Sequence, residues 1–324
     1  MLYPLKFKDV FKEKVWGGEK LRSWLGKDFA PLSNCGEAWV LSGLENEATV
    51  VSNGFLAGNT LPELIEVYLD ELLGEEVFAH FGTDFPLLFK FIDAHDWLSV
   101  QVHPNDSLAR ERGLPRGKSE LWYVLQAEPG SRLISGFEKG IQAEQYLQAL
   151  EENRLQEILH FVEVKAGDVL YMPAGRIHAL GPGILIAEIQ QSADTTYRIY
   201  DWDRPGQDGK MRALHTAEAL DAIDFSPVNL PLLPFQKKED ESIPLVNSPH
   251  FVCNLIQLGR VMRKDFEALD RCVVYLCVEG QGRIGWENGE ESLQAGEAIL
   301  IPASMQHIQI HPSPALKLLE VYPA

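Results

Sequence analysis

Twice in this chain one spacing recurs: a glycine, a proline six residues on and a histidine five beyond it. The residues are Gly167, Pro173 and His178, then Gly296, Pro302 and His307. Each copy reads as a β-strand, a turn fixed by proline and a second strand whose first residues face inward. A duplicated unit of this kind confines the chain to an architecture built from two like β-domains. Upstream, Tyr123-Val124-Leu125 resembles Tyr275-Leu276-Cys277, so the copies lie 152 residues apart at the tyrosines but 129 apart at the histidines. The difference of 23 is close to the length of segment 141–160, whose apolar residues repeat at helical steps. The first copy is therefore predicted to be the second with a helix inserted between its halves.

Short β-branched and aromatic runs fill much of the remainder, among them EAWVLSG (37–43), WLSVQVH (97–103), ELWYVLQ (120–126), DVLYMP (168–173), GILIAEIQ (183–190), VVYLCVEG (273–280) and EAILIP (297–302). Punctuated by Gly, Pro, Asn and Asp, they predict a mainly β chain of sandwiches or barrels. Helical insertions are predicted near 60–75, where Thr60-Leu61-Pro62 is a helix start, at 141–160, and in the 105–118 loop. A Pro-rich, charged stretch at 226–250 reads as a linker or long crossing segment. Two domains follow, 1–235 and 236–324.

In a strand, residues i and i+2 share a face, so Ser99, Gln101 and His103 point together. Glu120 opens the next strand and His178 closes the Gly-Pro-His motif. This is the order of ligands in a cupin barrel: a residue, another two on, a carboxylate, and a distant histidine. Cupins usually begin with His-x-His, whereas this chain has Gln101 first. Two imidazoles, a carboxylate and an amide suit one divalent metal with room for water or substrate; manganese, iron and cobalt fit the same donors. The second copy lacks the set. The tyrosine offset puts Cys272 where the first copy has Glu120, and no histidine lies between His250 and His307. A metal-free structural barrel with His307 alone is expected there.

Around these residues the chain resembles the type I mannose-6-phosphate isomerases, in their shorter bacterial form. The resemblance is carried by QVHPND (101–106), the K-x-E of Lys118 to Glu120, AGRIHALGPG (174–183), EIQQSADTTYRIYDWDR (188–204), VWGG near the start and PLLFKFIDAHDWLSVQVHP around Lys90. It covers nearly the whole chain. It implies two cupin barrels, one zinc ion per chain held by Gln101, His103, Glu120 and His178, and interconversion of mannose 6-phosphate and fructose 6-phosphate. It implies catalytic roles for Lys118 and Arg198, and substrate-binding positions at Lys90, Ser99 and Arg198. Larger bacterial members carry a histidine before that lysine; this chain has Gly117, so no role of that histidine transfers.

Aldose–ketose isomerisation requires ring opening, proton movement between carbons 2 and 1, and stabilisation of the enediol oxygens. A bound dication can polarise the carbonyl and hold the enediolate. A neutral Lys118 beside it could move the proton or assist ring opening, while Arg198, permanently charged, would bind oxyanions. Asp194 and Asp201 flank Arg198 and are alternative partners for it. A lysine set between Phe89 and Phe91 could instead snorkel to the surface, and Trp122, Tyr197 and Trp202 are expected to pack. A non-catalytic sugar-binding cupin and a metal-dependent cupin oxygenase are the competing readings. Formal net charge is −18 with no basic block, which argues against a nucleic-acid partner. No apolar run reaches membrane-spanning length, and Cys35, Cys253, Cys272 and Cys277 form no CxxC pair. These features predict reduced, mostly buried thiols in a cytoplasmic protein, monomer or homodimer, acting on a small phosphosugar.

Overall fold

The computed structural model describes residues 2–227 and 231–324. It is mainly β. One half is a barrel of two facing sheets. The first runs, in spatial order, through Val169–Met172, Glu120–Ala127, Ile184–Gln191, Leu87–Ala94, Glu37–Leu41 and Val10–Lys12. The second runs through Tyr197–Tyr200, Val100–Val102, His178–Ala179, Arg132–Phe137 and Leu159–Glu163. The other half is a nine-stranded sheet in which Val273–Trp286 and His307–Pro323 are the long central strands. Two N-terminal strands, Leu5–Lys8 and Val50–Val51, extend it, with Leu5 opposite Leu300.

Strand alternation sorts the side chains. Trp122, Val124, Ile92 and Ile186 point into the first barrel with Trp16 and Met172. Their neighbours Leu121, Tyr123, Phe89, Phe91 and Ala187 point outward and pack against Cys253, Leu255, Val274, Leu276 and Leu319 of the second. The barrels thus stand back to back on a shared apolar layer. Both faces of these strands are buried, and they read as almost continuous apolar runs. The opposite sheet of the first barrel is covered by helices: Val100, Ile177, Ala179 and Ile199 pack with Tyr146 and Ala219.

Helix Leu61–Leu73 forms as predicted, with Thr60 capping it in a reciprocal pair with Glu63. In the 105–118 loop only Asp106–Glu111 is helical, capped by the Asn105 side chain. In 141–160 the helix spans Ala143–Glu151, followed by a 3-10 turn at Leu155–Ile158; the strand Leu159–Glu163 takes the end of the predicted segment because its backbone pairs with Arg132–Phe137. Short helices at Lys20–Leu25, Glu75–Phe81 and Thr216–Ala222 escaped prediction, being too brief to show a period. Of the linker expected at 226–250, residues 228–230 lie outside the described residues, and Ser242–Asn247 is a strand of the second sheet.

The internal repeat is real, and its alignment shifts. The helix insertion lies between Arg132–Phe137 and Leu159–Glu163, where the second copy has a tight hairpin with Trp286 paired to Gly289. In the first copy Leu170 pairs with Trp122 and Met172 with Glu120. Counted from the repeated glycines, their counterparts Ile299 and Ile301 pair with Tyr275 and Val273. The residue matching Glu120 is therefore Val273, not Cys272. The histidines also diverge. His178 pairs with Gln101 and both face the interior, whereas the interior pair of the second copy is Ile308 with Lys264. The turn after Pro302 is in effect one residue longer, so His307 faces outward. It is exposed, with Asp265 and Glu267 carboxylates 3.8 and 3.6 Å away, and the expectations that it would face inward and stand alone both fail. Lys264 ion-pairs inside with buried Glu320, which also accepts hydrogen bonds from Tyr275 and Asn254.

Candidate active site

Gln101, inside the short strand Val100–Val102, and His103, the residue after it, alternate with buried Val100 and Val102, which aims both polar side chains inward. Glu120 begins the facing strand and is wholly buried. His178 reaches the same point from the strand paired with Gln101. Ligand atoms of His103, Glu120 and His178 all lie within 4.8 Å of one another. His103 Nδ1 sits 2.9 Å from the carbonyl of Thr195, and His178 Nδ1 2.9 Å from that of Arg176. Each ring donates through Nδ1, leaving the Nε2 lone pairs to converge, the arrangement that orients metal-binding imidazoles.

Electrostatics suit the same purpose. Burial, reinforced by the Lys118 charge, pushes His103 down to about 3, and burial lowers His178 as well. Both rings are neutral, as ligands must be. Burial alone would raise the Glu120 carboxyl, but the Lys118 charge beside it holds it well below the usual range. Its Oε1 lies 2.9 Å from Lys118 Nζ and 3.1 Å from His103 Nε2, yet neither approaches in hydrogen-bonding geometry. A buried carboxylate oxygen with no hydrogen bond, beside two convergent imidazole lone pairs, fits a cation. The Gln101 amide nitrogen is 3.2 Å from His178 Nε2; a half-turn of the amide brings its oxygen to that place.

Above these groups opens a cleft of about 310 Å³ lined by Gln101, Lys118, Ser99, Lys90 and Arg198, so the sequence-predicted residues come together. Lys118 Nζ lies 3.3 Å from His103 Nε2. Its segment is clamped from behind: Ser119 N–H donates to Gln191 Oε1, Gly117 N–H to Asp106 Oδ1, and Gln191 Nε2 also to Asp106. Gly117 has no room for a side chain. A Cβ there would stand 2.6 Å from Asp106 N and 2.7 Å from Asn105 C.

Lys90 does not snorkel. It is buried, 3.3 Å from Glu188 and 3.8 Å from Glu37, and these carboxylates raise its pKa against the cost of burial. Burial and the neighbouring Glu120 charge push Glu188 up, against the pull of Lys90. Trp122 packs as expected, and its indole N–H also donates to Glu188 at 2.9 Å and Glu120 at 3.1 Å. Arg198, opposite Gln101 in the strand ladder, has no carboxylate within ion-pair distance among the described residues. Its Nη1 donates to the Ala213 carbonyl and its Nε is buried without a partner. Asp201 is taken instead by Arg204 and Arg212.

Sequence reasoning missed Glu37, Glu188, Lys14 and Arg212, all of which line the cleft. Glu37 and Glu188 carried a signal: each is the lone charge in a strand buried on both faces. Five cations, Lys14, Lys90, Lys118, Arg198 and Arg212, face three carboxylates, Glu37, Glu188 and Asp194. In a chain of net charge −18, this gathers cationic groups into one cleft.

A β-barrel interior that gathers two neutral imidazoles, a carboxylate and an amide beneath a cationic cleft defines a metal-binding cupin. A family model described as phosphomannose isomerase type I, catalytic domain, matches residues 4–148. The mannose-6-phosphate isomerase of Streptococcus mutans is 37% identical over 316 residues, covering 95% of each chain. ManA of Bacillus subtilis, also a mannose-6-phosphate isomerase, is 34% identical over 317 residues, again 95% of each chain. The crystal structure of the Bacillus subtilis mannose 6-phosphate isomerase superposes with a TM-score of 0.89 over 99% of both chains, at 28% identity. The chain belongs to the type I mannose-6-phosphate isomerase family.

Proposed function

We propose that this chain is a metal-dependent aldose–ketose isomerase interconverting mannose 6-phosphate and fructose 6-phosphate. The observation that carries the reading is the buried convergence of His103, Glu120 and His178 directly beneath the cleft that holds Lys118 and Arg198. Gln101, His103, Glu120 and His178 would hold one zinc ion, the donor set of an open catalytic site. When bound, that ion supplies Lewis-acid polarisation of the sugar's carbonyl end.

The chain's own groups do the rest. In its neutral amine form, Lys118 Nζ, 2.9 Å from Glu120, takes the proton from C2 of the open-chain aldose and returns it at C1. Arg198, without a carboxylate partner, binds the oxygen that becomes negative. Lys90 and Ser99 contact substrate, Lys90 from a position fixed by Glu37 and Glu188. Trp16, Ile92, Leu98 and Trp122 wall the cleft with apolar surface and limit water.

The second barrel serves structure, and its interior has no counterpart of the metal-binding set. Its residues matching Gln101, His103, Glu120 and His178 are Lys264, Phe266, Val273 and Ile308, which offer an ammonium and three apolar groups. We place the protein in the cytoplasm as a monomer or homodimer; four buried, unpaired cysteines favour a reducing compartment, and among the described residues no helix is long and apolar enough to cross a membrane. The test is purified protein with fructose 6-phosphate, with and without chelator. Chelator-sensitive appearance of mannose 6-phosphate is expected, and its absence with zinc restored rejects the assignment.

A further inference from the structure

The cleft's five cations are not equivalent. Lys14 is 3.0 Å from Glu37, Lys90 is 3.3 Å from Glu188, and Lys118 is 2.9 Å from Glu120. Each ammonium has a carboxylate to itself, whereas Arg198 has none among the described residues and Arg212 shares Asp201 with Arg204, so the capacity to bind an added dianion rests with the two arginines. Arg198 stands across the ladder from Gln101, at the reacting end of the cleft. Arg212 comes from the loop beyond that strand. Its Nε and Nη2 each donate to Asp201 at 2.5 Å, while Nη1 has no partner among the described residues.

The support of Arg212 is built rather than incidental. Asp201 is buried and also accepts from Arg204 Nη2 at 3.2 Å, so one carboxylate serves two guanidinium groups; Arg204's other contact is the exposed Asp96. The turn that delivers this arrangement holds Trp202 at φ 58° and Asp203 at φ 49°, two successive non-glycine residues in the left-handed region. Trp202 is pinned there by its indole N–H on the Leu98 carbonyl, 2.7 Å, and by stacking on Trp97. Backbone strain of this kind persists where the surroundings over-determine it, often at ligand clamps. Burial lowers the Arg198 pKa, and the nearby Arg212 charge adds to that, which a bound anion would relieve.

We propose that Arg212, positioned by Asp201, receives the phosphate group of the substrate, leaving Arg198 to the reacting end of the sugar. The assignment rests on the phosphosugar reading above. Guanidinium is the side chain best matched to phosphate oxygens, through parallel N–H donors.

The test uses the zinc-loaded full chain with inorganic phosphate as probe, by calorimetry and as an inhibitor. Arg212→Ala should weaken phosphate binding roughly tenfold to a hundredfold, the loss of one charge-assisted contact. It should raise KM for mannose 6-phosphate similarly, with kcat within about threefold. Arg212→Lys, which keeps the charge but not the fork, should fall between, and Asp201→Asn should raise KM in the same direction with kcat retained. Arg198→Ala should instead lose kcat. If Arg212→Ala and Arg212→Lys leave phosphate affinity and KM within twofold of the parent, or if the whole loss falls on kcat, the assignment is overturned. An enzyme without isomerase turnover that still binds phosphate through Arg212 would reject the proposed reaction while sustaining this anion site.

Discussion

Glu37→Gln isolates the charge chain beneath the cleft. The Glu37 carboxylate lies 3.0 Å from Lys14 and 3.8 Å from Lys90, and accepts the Trp39 indole N–H at 2.7 Å. Burial by itself would raise its pKa, but Lys90, Lys14 and the indole bring it down to about 2, from 4.5 for a free glutamate. A folded-state pKa below the unfolded one means stability that is full above pH 4.5 and is lost as pH falls towards 2. The difference corresponds to about 3 kcal/mol at pH 7, falling to about 1.5 kcal/mol at pH 3. Glutamine keeps the shape and an acceptor for the indole but not the charge, so the variant should lack this pH-dependent component. Urea unfolding of both proteins at pH 7 and pH 3, followed by tryptophan fluorescence, measures it. The stability gap should be about 3 kcal/mol at pH 7 and shrink by half at pH 3. A gap unchanged between the two pH values would refute the charge-based account and reduce Glu37 to a packing residue.

His103→Ala and His178→Ala should each lose bound metal and isomerase activity together, read by elemental analysis and turnover on one sample. Lys118→Ala should retain metal yet lose roughly 10²–10⁴ in kcat, the range for a positioned acid–base group; a near-normal rate would remove it from the proton pathway. Gly117→His should not be tolerated. With a Cβ 2.6 Å from the Asp106 amide nitrogen, it should cost on the order of 2 kcal/mol or more and lower Tm by several degrees.

Much of the site was legible because its signals are local. Period-two alternation put Gln101 and His103 on one face, and the Gly-Pro-His spacing delivered His178 to the same barrel. Lys90 was legible only as a doubt, since a lysine between two phenylalanines looks the same whether it snorkels or lies buried on Glu188. Arg198 was similar: two aspartates near it in sequence suggested an ion pair, but Asp201 turns to Arg204 and Arg212 instead.

The sequence by itself determined the main strand runs, the duplication, the candidate ligand residues and the family, because each depends on residue type at short spacing. Only the tertiary structure decided which charges meet. Glu37, Lys90 and Glu188 come from strands paired across more than fifty residues of chain, and no local pattern encodes that register. The fate of the repeated histidine was decided in the same way. Identical spacing leads to His178 inside and His307 outside, because one residue of slip in a β-ladder turns every side chain to the other face.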